Sequence, residues 1–222
     1  MDLLDLSTAP VEYQKYAWIA NLSFSAQGLG WAIHYFLQAR KSLRDKTYSQ
    51  AIFPLCANMA WEFVYTFIYP PKSRIHATIM GSWFFLGLIV MYSAVKSSPR
   101  EWKHTTLVQR YLPIIFAVVL LYFISLHWAF AETWGPAVTG PWSAMFCQEL
   151  LLWGSLSQLL VREDSRGTSY TIWLTRFLGT LAGAPGQSLR YRYWPEQFAE
   201  ISYGIILWRI RRKEAQDVKK VT

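Results

Sequence analysis

Pro54-Leu-Cys-Ala-Asn58-Met-Ala-Trp61-Glu62-Phe-Val-Tyr65-Thr-Phe-Ile-Tyr69-Pro70 is an apolar run interrupted by a single carboxyl group. Taken from Gln50 to Tyr69, the run meets the requirement of about 20 residues for a helix crossing ~30 Å of hydrocarbon. Glu62 is its only acidic or basic residue. A charge at that depth is costly, so an ionisable group there calls for a function. Asn58, Glu62, Tyr65 and Tyr69 follow i, i+4, i+7, i+11 spacing and share one helical face, with Trp61 and Phe63 beside them.

Six further runs of similar character are Ala17–Leu37, His76–Val95, Leu112–Ala131, Gly140–Val161, Ser169–Gly186 and Tyr193–Ile210. Hydrophobic residues make up 53% of the chain and charged residues 16%, against about 25% charged in a soluble domain. The composition excludes a disordered chain, a collagen, a disulfide-stapled secreted module and a water-soluble enzyme. Cys56 and Cys147 each sit inside an apolar run, where a thiol serves as a small packing residue. The net charge of +8 is spread over short clusters between runs rather than gathered on one helix face, so no nucleic acid is expected as a partner.

Those clusters give an orientation. With the N-terminus lumenal, sixteen Lys and Arg residues face the cytoplasm, within 40–46, 96–110, 162–166 and 209–220. The other side holds Lys15, Lys72, Arg74, Arg190 and Arg192, and Arg176 lies within a run. This bias favours seven spans, because six or eight would place the basic tail beside the N-terminus. The acidic Asp2, Asp5 and Glu12 before the first run argue against a cleavable signal peptide. The expected fold is all-α: one domain over residues 1–222, a polytopic bundle of seven transmembrane helices with its C-terminus cytoplasmic.

Counting 1.5 Å per residue from the lumenal ends places Glu62 and Glu200 at ~11 Å, Glu149 at ~14 Å, Arg176 at ~15 Å and His127 at ~6 Å, with Glu132 at the mouth. Glu196, Glu200 and Tyr203 share a face of the last run. A carboxyl group among aromatic and aliphatic side chains loses hydration, which disfavours its ionised form. Such an acid stays protonated and can donate, while the rings around it attract a cation. Structural roles account for several of these residues: a Glu149–Arg176 pair across two helices, a helix-start role for Glu196 after Trp194-Pro195, packing for His34 and His127, and close helix contact at Gly179 and Gly183. Glu62 and Glu200 are the two favoured as chemical. No Walker loop, dinucleotide fingerprint, G-x-S-x-G or H-E-x-x-H is present, and no lysine lies within the last run. The residues alone leave three classes open: an acid-initiated cyclase of greasy chains, a small proton-coupled transporter, and a terpenoid- or sterol-binding membrane protein.

The Asn58-x-x-Trp61-Glu62 stretch resembles the second helix of the fungal membrane-integral terpene cyclases of meroterpenoid and indole-diterpene biosynthesis, the paspaline and andrastin type. Ala9-Pro10-Val-Glu-Tyr13, Gly28-Leu-Gly30-Trp31, Arg176-Phe-Leu-Gly179-Thr180-Leu and Glu200-Ile-Ser-Tyr203 are similar as well, so the resemblance covers nearly the whole chain. It implies an isomerase- or lyase-type enzyme of secondary metabolism that protonates the terminal epoxide of an epoxyprenylated aromatic or indole-diterpene precursor and drives cationic ring closure. The family's acid pair maps onto Glu62 and Glu200, the latter a departure from the usual Asp, with Glu196 a rival. Asn58 and Tyr65 would orient the acids, Trp61, Tyr69 and Tyr203 would shape the folded chain, and Glu149 and Arg176 would complete the surroundings. The resemblance implies no metal or organic cofactor. It also implies a hydrophobic substrate, a lipid bilayer (expected to be the fungal endoplasmic reticulum) and an upstream membrane prenyltransferase and epoxidase.

Overall fold

The structure, a computed structural model, describes residues 14–191 and 196–221, and these form helices without strands. The helices are α1 (Ala17–Asp45), α2 (Ile52–Phe63), α3 (Arg74–Glu101), α4 (Thr106–Trp134), α5 (Pro136–Arg162), α6 (Tyr170–Tyr191) and α7 (Glu196–Val221). A π-helical turn, Val64–Ile68, extends α2. Each helix falls on one of the apolar runs; the start of the last run, at Tyr193, lies outside the described residues.

The basic turns meet at one end of the bundle. Arg162 lies 3.8 Å over the Tyr48 ring, Tyr48 stacks on Trp102, and Glu214 of α7 accepts hydrogen bonds from Ser165. The Gly167 amide and Lys41 both hold Asp45. Burial works against the charge of this carboxyl, but Lys41 and the Gly167 amide hold it below the usual carboxylate range.

α2 occupies the middle, packed against α3, α4 and α5, while α1 packs chiefly on α6 and α3. Residues Pro54 to Glu62 of α2 are buried without interruption, as expected of a helix that is apolar all round. By length and composition, Arg74–Ser97, Thr106–Trp134 and Pro136–Arg162 are apolar enough to cross a membrane, and Ile52–Ile68 is apolar but shorter. Among the described residues, three helices therefore meet that criterion where seven spans are expected from sequence. α1 shows the physical reason. It buries Ser23, Gln27, His34, Gln38 and Ser42 against its neighbours and turns Trp18, Leu22, Leu29 and Phe36 outward. The polar inner face lowers the average hydropathy of a helix whose outer face, with its large apolar groups, still suits lipid.

Gly30 of α1 and Gly179 of α6 bring two backbones together. A Cβ on Gly30 would stand 2.6 Å from the Gly179 Cα, and one on Gly179 would stand 3.2 Å from Gly30 backbone atoms. Backbone cannot swing aside as a side-chain tip can, so Gly30→Ala must part α1 from α6. Overpacking of this kind costs about 1–3 kcal/mol. The expected result is a lowered melting temperature in detergent; an unchanged one would show that the helices separate freely.

Candidate active site

Glu62 lies in α2, 1% exposed, with three elements converging on its carboxyl group. Tyr35 of α1 donates its hydroxyl proton to Oε1 at 2.8 Å. Asn58, one turn earlier on α2, donates its amide N–H to the same oxygen at 2.8 Å and to the Tyr35 hydroxyl oxygen at 2.5 Å. Oε2 is buried without a hydrogen-bond partner. Gly87 of α3 stands before it, and a Cβ there would come 3.3 Å from Oε2 and collide with the Met59 sulfur. A buried carboxylate with one bare oxygen would bear a large desolvation penalty. In the neutral acid, Oε1, faced by two donors, would be the carbonyl oxygen, and Oε2 would carry the proton. The π-helical turn begins two residues later, an irregularity that recurs at functional sites.

Tyr35 is absent from the residues singled out by sequence, because its partner lies 27 positions away on another helix. Its only local signal is its place one turn after Trp31. Tyr35→Phe removes one of two donors to Oε1, a neutral hydrogen bond worth about 0.5–1.5 kcal/mol. A fall in kcat of about 2–10-fold with KM unchanged is expected in a turnover assay. A change confined to KM would place Tyr35 in substrate binding instead.

A second polar cluster joins α5, α6 and α7. Arg176 donates to both oxygens of Glu200, Nε to Oε1 at 2.6 Å and Nη2 to Oε2 at 3.2 Å, with both side chains buried. Its Nη1 donates to Ser155 Oγ at 3.2 Å. Ser155 in turn donates to Gln50, which also accepts from Gln38 of α1. The guanidinium lies 4.8 Å over the Tyr203 ring, and Trp173 donates to the Glu200 backbone carbonyl. Beside this cluster is a cavity of about 10 Å³, lined in part by His34, Gln38, Ser49, Ser155, Thr168 and Arg176. That is space for about one water molecule.

The structure thus separates the two acids that the sequence groups in one layer. Arg176 is expected ~15 Å below the lumenal end, but α6 continues through Gly183 and Pro185 to Tyr191, so Arg176 lies ~22 Å from that end. It is six residues from the start of α6, ~9 Å from the basic end, whereas Glu62 is ten residues into α2, ~15 Å from it. α1 reaches both clusters: Tyr35 meets Glu62, and the adjacent His34 meets the Ile172 carbonyl through Nδ1 at 3.0 Å. Glu200, expected like Glu62 to be an uncharged acid, is instead ion-paired with Arg176 beside a polar void.

The remaining candidates divide between the clusters. Trp61 donates to the Gly140 carbonyl, Tyr65 to Thr139 and Tyr69 to Glu132, so all three turn towards α4 and α5, and Tyr65 and Tyr69 do not join Asn58 at the Glu62 carboxyl group as their spacing suggests. Tyr203 belongs to the Arg176 cluster and shares a 2.8 Å hydrogen bond with Thr168. The expected Glu149–Arg176 pair is replaced by Arg176–Glu200: the rotation and register of α6 and α7 present the planar guanidinium to both Glu200 oxygens. Glu149 accepts from Trp153 on its own helix. The Glu196 side chain and the Ala9–Tyr13 element lie outside the described residues.

A helical bundle with large apolar side chains on its exterior and polar groups buried between its helices has the make-up of a membrane protein. The chain belongs to the Pyr4-like transmembrane terpene cyclases, whose family profile matches residues 4–212. It is 42% identical to terpene cyclase pyr4 of Aspergillus fumigatus over 233 aligned positions, covering 97% of each chain. It is 44% identical to terpene cyclase penB of Penicillium crustosum over 210 positions, covering 95% of this chain and 86% of the relative. Terpene cyclase dpasB of Apiospora sacchari is 41% identical, covering 98% and 97%. No solved structure matches the chain. The family resemblance drawn from Asn58, Trp61 and Glu62 is therefore shown, and membership makes the chain a terpene cyclase of the membrane.

Proposed function

We propose that the protein opens the terminal epoxide of an epoxyprenylated aromatic or indole-diterpene precursor and closes the chain into fused rings. The observation that carries this reading is the Glu62 carboxyl group, with Oε1 held by Tyr35 and Asn58 and Oε2 buried and bare. The Oε2 proton passes to the oxirane oxygen, and the C–O bond at the more substituted carbon breaks with both electrons going to oxygen. The resulting cation is attacked by the nearest alkene, and each closure moves the charge one ring onward. Loss of a C–H proton restores neutrality, so substrate and product are isomers. The trigger is epoxide opening rather than diphosphate departure, so the chemistry requires no metal. General acid catalysis supplies about 10²–10⁴-fold, and the rest must come from folding the chain into a reactive conformer.

Glu200 is the second acid of this reading. Paired with Arg176, it acts as a carboxylate that fixes the cluster beneath Glu62 rather than as a second neutral donor. The seven helices cross a membrane of the endoplasmic reticulum, basic end to the cytoplasm, in keeping with the Lys and Arg distribution. The substrate arrives from a prenyltransferase and an epoxidase in the same membrane. The test is incubation of the purified protein in detergent with epoxyfarnesyl and epoxygeranylgeranyl substrates. A product of unchanged mass with fewer alkenes supports the reading; recovery of unreacted epoxide from folded protein sinks it and favours transport or binding.

A further inference from the structure

We propose that His127 is the base that ends the cascade, an inference that rests on the epoxide-opening reading above. His127 lies on α4, 1% exposed. It is seven residues before Trp134 and Glu62 is six before Ile68, so both sit ~10 Å below the end opposite the basic one. Glu62 and His127 thus share the layer in which Trp61 and Tyr65 present their rings. The Tyr65 and Phe123 rings lie 6.5 Å and 6.4 Å from the imidazole.

The hydrogen bonding of the ring determines its tautomer. His127 Nε2 is 3.2 Å from the Ala57 backbone carbonyl, which can only accept, so Nε2 carries the hydrogen. Nδ1 is then a bare lone pair, and it is buried without a partner. A neutral imidazole with its basic nitrogen unused and aromatic faces beside it suits the removal of a proton from a carbocation. Of the two acids, Glu200 has both oxygens occupied by Arg176 donors. Glu62, whose Oε1 accepts from Tyr35 and Asn58 and whose bare Oε2 gives up the initiating proton, stands where the cascade begins rather than where it ends.

In the final step Nδ1 takes a proton from the carbon next to the last cationic centre. The electron pair of that C–H bond becomes the new C=C bond, and the ring becomes imidazolium. Glu62 is then a carboxylate, and the imidazolium returns one proton to it. Cys147 borders the ring, its sulfur 3.7 Å from Nε2.

The test uses full-length protein in detergent with the epoxide that the wild type converts. His127→Gln keeps an N–H donor for the Ala57 carbonyl, so it is the variant expected to fold; His127→Ala is assayed with and without added imidazole. The expected result is loss of the wild-type product in both variants while epoxide is still consumed, with isomeric alkenes and water-captured alcohols in its place. Imidazole restores the original product in His127→Ala, a rescue that a packing role would not allow. The proposal is overturned if either folded variant gives the wild-type product distribution, or if both leave the epoxide unopened. Failure of the wild type itself to open any epoxide removes the underlying reading and this inference together, an outcome distinct from a variant that behaves as wild type.

Discussion

Glu62→Gln is expected to lower the cyclisation rate by about 10²–10⁴-fold while leaving the bundle folded. The amide is nearly isosteric with the acid, and its oxygen accepts from Tyr35 and Asn58 as Oε1 does. What disappears is the proton on the opposite atom, which an amide cannot deliver to an oxirane. The melting temperature of the variant in detergent should stay close to that of wild type, because the packing around Met59 and Gly87 is unchanged. Glu62→Asp gives a different loss. The shorter side chain keeps its proton but withdraws from Tyr35, so some turnover should survive. Near wild-type product formation by Glu62→Gln, measured as substrate loss and product gain by mass spectrometry, would remove Glu62 from the role of proton donor.

The helix positions were legible because the runs are long and apolar, and the helix ends and turns within segments such as 40–46 and 96–110 carry the charge. The Asn58–Glu62 contact was legible too, since four residues on a helix return to the same face. What could not be read was the pairing between helices. Tyr35 meets Glu62, Gln50 meets Ser155, and Arg176 chooses Glu200 over Glu149 through helix rotation and register, for which period alone gives no signal. Register also displaced Arg176. The apolar run ends at Gly186, yet α6 continues to Tyr191 and carries the Arg176–Glu200 cluster into the half nearer the basic end. The polar inner face of α1 misleads hydropathy in the same way, because averaging along a helix discards which side each residue faces.

Arg176→Met is expected to destabilise the protein by about 3–5 kcal/mol, the usual consequence of removing one partner from a buried ion pair. Glu200 would be left as a buried carboxylate with the Arg176 donors to both of its oxygens gone. Ser155 would also lose a donor from the chain that links α5 to Gln50 and α1. Replacing both partners, as Arg176→Met with Glu200→Leu, removes the uncompensated charge, and such replacements are often neutral or stabilising. Melting in detergent should therefore fall sharply for the single variant and recover in the double. The recovered double variant then isolates chemistry from folding. If it is stable but makes no product, the Glu200 carboxylate acts in the reaction as well as in the bundle. If it is stable and cyclises at the wild-type rate, the Arg176–Glu200 pair is a brace, and Glu62 is the acid on which turnover depends.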